Sequence, residues 1–257
     1  MIIDKYQGFI FDLDGTIYLG ENLIQGAKKV IETIKNKNKN YVFLTNKPLA
    51  TREDYAKKLN NLGINASTEN IITSSYVTAE YLKEKKPINC YVIGEKALKK
   101  ELDNVGVNVS NKIENIDYLI ASFDRKFSYK KLNDALQIIK SGAKFIATNP
   151  DKTCPTENGE IPDAAGMIGA IEGTTGKKVE KILGKPSDEI VEIALQSMDI
   201  DNKNCLMIGD RIETDILMGN NNGLATALVL SGVTNKELAT SSDVKPDYIL
   251  NSIADLI

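Results

Sequence analysis

Gly8-Phe9-Ile10-Phe11 is a run without a polar side chain, and it leads straight into Asp12-Leu13-Asp14-Gly15-Thr16. A short apolar run that stops at a turn signal predicts a strand buried on both faces, as in the middle of a parallel sheet. Such sheets bind ligands beyond the carboxyl ends of their strands, which is where Asp12 and Asp14 fall. If the backbone stays extended through Leu13, the two-residue period of a strand sends both carboxylates to one side. Two like charges held that close call for a cation or a shared proton between them. The same residues are compatible with a plain acidic turn, since Asp and Gly are ordinary turn formers. An EF-hand calcium loop opening at Asp12 is excluded by counting, because it would need Gly at Ile17 and Glu at Leu23.

The chain contains no histidine. That removes Ser-His-Asp and Cys-His catalysis, histidine phosphotransfer and His-ligated metal sites together. Any catalysis must come from carboxylates, lysines, hydroxyls, backbone dipoles and an oxygen-liganded metal. The formal net charge of -3 lacks the basic excess of a nucleic-acid binder. Cys90, Cys154 and Cys205 match no paired spacing, which argues against a disulfide framework or zinc site and for a reducing compartment. No stretch approaches the roughly 18 apolar residues of a membrane span. A cytoplasmic protein without nucleic-acid or membrane partners is therefore expected.

Strands and helices alternate along the chain. Apolar residues at helical spacing predict a helix over Gly26 to Lys35, and Tyr41-Val42-Phe43-Leu44 is the next strand, ending at Thr45-Asn46. A helix stopping at Gly63, a brief strand at Ile71-Ile72-Thr73 and a helix from about Ser75 to Lys85 follow. After Pro87 a second α/β unit is predicted, with strands at Cys90 to Ile93, Asp117 to Ala121 and Phe145 to Thr148. Its helix from Tyr129 to Lys140 carries Leu132, Ala135, Leu136 and Ile139 on the apolar face. Asp151 to Pro162 is turn-like, and Ala164 to Gly173 is a short helix. At Ile182-Leu183 the chain is expected to return to the first sheet, which continues with Cys205 to Ile208, a helix from Glu213 to Asn220, Ala225 to Leu230 and Tyr248 to Leu250. This rhythm predicts a doubly wound parallel α/β sheet. At 257 residues, a core with an insertion is the natural size class.

Three further strand ends carry complementary chemistry: a hydroxyl at Thr45, a cation at Lys185, and a carboxylate at Asp210 backed by Asp215. Each alone has a plain structural explanation, as a strand terminus, a surface lysine and a helix N-cap. Together they resemble the haloacid dehalogenase (HAD) superfamily of aspartate-nucleophile phosphatases. Asp12-Leu13-Asp14-Gly15-Thr16 is similar to its first motif, Leu44-Thr45-Asn46 to the second, Gly184-Lys185-Pro186 to the third, and Gly209-Asp210-Arg211-Ile212-Glu213-Thr214-Asp215 to the fourth. The segment between the second and third resembles the α/β cap of the NagD-like, class IIA branch, with Ala147-Thr148-Asn149-Pro150-Asp151 matching its hinge signature. Two places depart from that branch, Pro162-Asp163-Ala164-Ala165-Gly166 and Asn46-Lys47-Pro48. The latter, with Arg52, looks most like members acting on sugar phosphates and nitrophenyl phosphate.

The resemblance implies a HAD-type Rossmannoid core over residues 1–80 and 182–257, interrupted by an inserted α/β cap over 81–181. It further implies a Mg²⁺-dependent phosphate monoester hydrolase working through an aspartyl-phosphate on Asp12. Asp14 would serve as acid and base, and Mg²⁺ would be held by Asp12, the Asp14 carbonyl and Asp210, with Asp215 orienting from behind. Thr45, Asn46 and Lys185 would hold the phosphoryl group, and Asp124-Arg125 and Asp163 to Met167 would face the substrate from the cap. Pairing into a homodimer through the cap is an expectation on the same ground. Phosphotransfer or mutase chemistry by the same intermediate, and a non-catalytic sugar-phosphate sensor, are the competing classes. A dinucleotide site has no support, since neither Gly-x-Gly-x-x-Gly nor a P-loop occurs.

Overall fold

The computed structural model describes residues 1–156 and 159–257. In chain order the elements begin with β1 (Gly8–Asp12), β2 (Tyr18–Leu19), β3 (Asn22–Leu23), α1 (Ala27–Asn36), β4 (Asn40–Thr45), α2 (Arg52–Asn61) and β5 (Ile71–Thr73). They continue with α3 (Ser74–Lys83), β6 (Asn89–Ile93), α4 (Lys96–Asn104), β7 (Asn108–Val109), β8 (Tyr118–Ala121), α5 (Tyr129–Lys140) and β9 (Lys144–Ala147). Next come β10 (Thr153–Thr156), β11 (Gly159–Pro162), α6 (Ala164–Thr175) and β12 (Lys181–Ile182). The last are α7 (Asp188–Met198), β13 (Cys205–Gly209), α8 (Leu217–Asn221), β14 (Ala225–Val229), α9 (Lys236–Ser241) and β15 (Tyr248–Leu250).

The chain forms two compact units. The first comprises Met1–Thr45, Arg52–Ile72 and Pro186–Ile257, and its sheet has the order β15-β14-β13-β1-β4-β5. β1 pairs in parallel with both β4 and β13. All five residues of β1 are buried, as its apolar run predicts for a strand covered on both faces. Phe11 lies between Phe9 and Phe43, with ring centroids 6.2 and 6.1 Å away. From β1 the chain adds β4 and β5 on one side and returns to add β13, β14 and β15 on the other. The winding therefore reverses between β1 and β13. In open α/β sheets the crevice at such a reversal is where ligands bind.

The second unit comprises Asn46–Thr51 and Thr73–Lys185, and its parallel sheet has the order β12-β9-β8-β6-β7. Leu119, Phe145, Ile138 and Ile168 are among its buried core residues. The predicted insertion runs over 81–181, whereas this unit includes all of α3, which packs on α4. The return to the first sheet comes at Pro186. Ile182 stays in the second sheet, paired with Ala147 of β9. On α5 the buried positions are Asp134, Ala135, Ile138 and Ile139. Asp134 tolerates burial because the Tyr91 hydroxyl donates to it at 2.7 Å and Lys130 pairs with it at 2.6 Å. The turn-like stretch from Asp151 to Pro162 holds an antiparallel pair, β10 with β11; residues 157 and 158 lie outside the described residues. A second small hairpin, β2 with β3, occupies the loop after Thr16.

Truncating Phe11 to alanine removes a fully buried ring from the middle of the first sheet. The expected cost is about 3–5 kcal/mol of unfolding free energy, measured by urea denaturation followed by far-UV circular dichroism.

Candidate active site

The backbone does not stay extended through Leu13. The Leu13 carbonyl accepts from the N–H groups of Thr16, Ile17 and Tyr18 at 3.3, 2.8 and 3.2 Å, and Gly15 N–H donates to the Tyr18 carbonyl at 2.8 Å. This coil stops β1 at Asp12, which is buried, and leaves Asp14 half-buried in the loop. The loop is tied from elsewhere in the unit by the Ser231 hydroxyl, which donates to the Gly15 carbonyl at 2.7 Å. Gly15 has φ +82°, a conformation that side chains other than Gly rarely adopt. A Cβ there, or on Gly232, would run into the Asp210 carboxylate. Both glycines make room for that group.

Asp210 follows β13 directly, one strand over from Asp12. Its Oδ2 accepts from Val233 N–H at 2.6 Å and its carbonyl from Thr234 N–H at 3.2 Å. The predicted helix after it begins as a π turn over Ile212–Ile216, where the Arg211 carbonyl accepts from the N–H groups of both Asp215 and Ile216. Such turns recur at functional sites because they re-aim side chains. Here the Asp215 carboxylate folds back, accepts from Arg211 N–H at 3.0 Å and is fully buried.

The result is a group of three buried carboxylates. Asp12, Asp210 and Asp215 each offer an oxygen, and the three lie within 4.8 Å of one another. At that distance and an effective dielectric near 20, two full charges repel by about 3–4 kcal/mol. Three ionised carboxylates therefore need a cation or shared protons. The donors are hard oxygens with no sulfur or imidazole, which suits Mg²⁺, Ca²⁺ or Mn²⁺. The Thr16, Thr214 and Thr234 hydroxyls, close in sequence to Asp14, Asp215 and Asp210-bonded Val233, are buried without a hydrogen-bond partner among the described residues. Buried polar groups of that kind mark places where water or an ion's hydration completes the bonding. The residues fit a divalent cation. Asp215, expected behind the ligands, offers its oxygen at the same range as the other two.

Tyr18 is a neighbour that the motifs do not reveal. It is 1% exposed, and burial pushes its hydroxyl well above the usual range, with the charges of Asp14, Tyr55 and Asp12 adding to the rise. It stays protonated at any working pH. Lys58 sits over its ring, 4.2 Å from the centroid. Thr45 ends β4 one residue beyond Leu44, the register partner of Asp12, and is buried.

In the second unit, Lys185 is 3% exposed, and its main chain is bonded on both sides by the Asn46 side chain. The Asn46 amide, expected at the phosphate, is engaged instead with Lys185 and Asp151. Asp124 is buried, accepts from Lys126 N–H at 2.9 Å and is ion-paired with Lys131. Arg125 bonds Glu95 at 2.8 Å, which lowers the Glu95 pKa, and lies over the Phe123 ring. Asp163 is the buried N-cap of α6.

The family pattern of haloacid dehalogenase-like hydrolases matches residues 9–108, and a second, HAD-hydrolase-like pattern matches 182–256. The sugar-phosphatase AraL of Bacillus subtilis is 40% identical over 97% of this chain and 91% of its own length. The crystal structure of a 4-nitrophenylphosphatase from Thermotoga maritima superposes with a TM-score of 0.94 at 34% identity, covering 100% of this chain and 98% of that one. A glycerol phosphate phosphatase from Mycobacterium tuberculosis, solved in complex with magnesium, gives a TM-score of 0.92 at 27% identity, covering 99% of this chain and 77% of that one.

Asp210→Asn keeps an oxygen for Val233 N–H and removes one of three repelling charges. In a chelator at neutral pH the variant is expected to be more stable than the wild type by about 1–3 kcal/mol. In excess divalent cation the order is expected to reverse, as thermal unfolding under the two conditions will show.

Proposed function

Since the chain belongs to the haloacid dehalogenase-like hydrolase family, in its NagD-like branch, we propose that it hydrolyses phosphate monoesters of small metabolites, sugar phosphates among them, and nitrophenyl phosphate in vitro. The observation that carries this is the carboxylate group at the winding reversal, where Asp12 stands at the end of β1 with Asp210 and Asp215 beside it. The relatives' names support the substrate class.

Phosphate monoesters hydrolyse so slowly unaided that an enzyme must remove on the order of 20 kcal/mol from the barrier. Asp12 does so in two easier steps. Its carboxylate attacks phosphorus, the bond to the leaving oxygen breaks, and Asp14 protonates that oxygen. Asp14, now a carboxylate, takes a proton from the attacking water as the bond from phosphorus to Asp12 breaks, releasing phosphate and restoring the Asp12 carboxylate and the Asp14 acid. Thr45 and Lys185 take the phosphate-holding roles, where hydrogen-bond donors and a fixed cation oppose the charge on the phosphoryl oxygens. Mg²⁺ is the proposed cation, held by Asp12, the Asp14 carbonyl and Asp210 with Asp215 adjoining. When bound, it offsets the repulsion between a dianionic phosphate and the attacking carboxylate. The neighbour crystallised with magnesium, and in another crystal with calcium, supports a divalent cation.

The second unit is proposed to act as the cap that selects the leaving group. Arg125 is 62% exposed beyond its bond to Glu95 and is the cap side chain offered to substrate. A cytoplasmic location accords with three buried cysteines that form no disulfide among the described residues. No helix among the described residues is long and apolar enough to cross a membrane.

A phosphate-release screen over many phosphomonoesters, with and without Mg²⁺, tests the activity. Turnover is expected only with the metal, and Asp12→Asn is expected to abolish it while leaving the circular dichroism spectrum unchanged. In the same screen Arg125→Ala is expected to reorder the substrates; an unchanged order removes Arg125 from the specificity set.

A further inference from the structure

The main chain of Lys185 is held by one side chain at two points. Its N–H donates to Asn46 Oδ1 at 2.8 Å, and Asn46 Nδ2 donates to its carbonyl at 3.0 Å. This is the two-way pairing that a strand residue makes with its neighbour, supplied here by an amide 139 positions away in sequence. Room for it exists because position 184 is glycine; a Cβ there would stand 2.5 Å from Asn46 Oδ1. The other Nδ2 proton goes to Asp151 Oδ2 at 2.9 Å. At its main chain, the Asn46 carbonyl accepts from the Ser74 hydroxyl at 2.7 Å.

The bonding continues away from Lys185. Asp151 Oδ2 also accepts from Asn149 Nδ2 at 2.8 Å, whose second proton goes to Asp163 Oδ1 at 3.1 Å, at the start of α6. Asn46, Asn149, Asp163 and Lys185 are all buried. Both amides donate both protons, so neither can turn without breaking a buried hydrogen bond. A side chain locked at its oxygen and both protons fixes whatever it holds.

We propose that Asn46 is a positioning residue for Lys185: it sets the backbone from which the ammonium projects, with Asp151, Asn149 and Asp163 bracing the amide. The proposal rests on the reading that Lys185 holds the phosphoryl group. Asn46 then contributes to catalysis through Lys185 and not by a side-chain contact with phosphate.

A double-mutant cycle with Asn46→Ala, Lys185→Met and the double variant separates these roles. The measurements are kcat and KM on nitrophenyl phosphate, calorimetric affinity for inorganic phosphate in Mg²⁺, and the melting temperature. Asn46→Ala alone is expected to lower kcat by about 10²-fold, the scale of a misplaced catalytic group, and to weaken phosphate binding. In the Lys185→Met background it is expected to change both by no more than about twofold, the error of additivity for independent sites. Losses that multiply in the double variant, or an Asn46→Ala enzyme with unchanged kcat and phosphate affinity, overturn the proposal. If the alanine variant melts below the assay temperature, Asn46→Asp keeps the shape, removes both Nδ2 donors and runs through the same cycle. A Lys185→Met enzyme with normal turnover and phosphate binding overturns the role of Lys185 itself, and the proposal with it. Multiplying losses on top of a crippled Lys185→Met enzyme sink only the role of Asn46.

Discussion

Repulsion among Asp12, Asp210 and Asp215 is the constraint around which the first unit is built. Their carboxylate oxygens, buried within 4.8 Å of one another, oppose folding unless a cation or shared protons join them. The surrounding backbone accepts that cost and holds the group in place. β1 is sealed on both faces, the coil at Leu13 stops the strand at Asp12, and Gly15 with Gly232 leaves space for Asp210. The π turn after Arg211 brings Asp215 back to complete the set. Local irregularity concentrates where the chemistry is, as expected when a site is favoured at the expense of regular structure.

The second unit handles buried polarity in the opposite way. Its carboxylates and amides satisfy one another within the protein: Asp134 with Tyr91 and Lys130, Asp124 with Lys131, and Asn149 with Asp151 and Asp163. Satisfied networks of this kind rigidify a structure. One unit thus gathers negative charge in its interior, while the other balances its buried groups against one another. The Asn46 amide belongs to the second kind and grips the main chain of the one motif lysine.

Much of this was readable from residue order. The apolar run of β1, the helical spacing of α1 and the strand ending at Thr45 are local patterns, and local patterns survive folding. Contacts between distant segments are not local, and they account for most of what was missed. No periodicity announces that Asn46 will bond the backbone of Lys185, or that Lys131 and Glu95 will engage Asp124 and Arg125. Pairing of Ile182 with Ala147 keeps β12 in the second sheet, a choice made by a neighbouring strand and not by the two residues themselves. Four-residue strands such as β10 and β11, one containing Pro155 and the other ending at Pro162, look like turns because proline signals an interruption even at a strand edge. The π turn escaped for a different reason: one extra residue in a helix barely disturbs its apolar spacing, yet it redirects Asp215.

Covalent transfer of the phosphoryl group to Asp12 is the step on which the proposed function rests. Rapid mixing with a phosphomonoester in Mg²⁺, acid quenching within the first turnover and mass analysis of the digested chain would locate the group directly. A phosphoryl group on the peptide carrying Asp12, assigned to that carboxylate and absent in Asp12→Asn, is the expected result. Burst release of the alcohol with the phosphoryl group on another residue, or full turnover with none on the chain at any quench time, would contradict it.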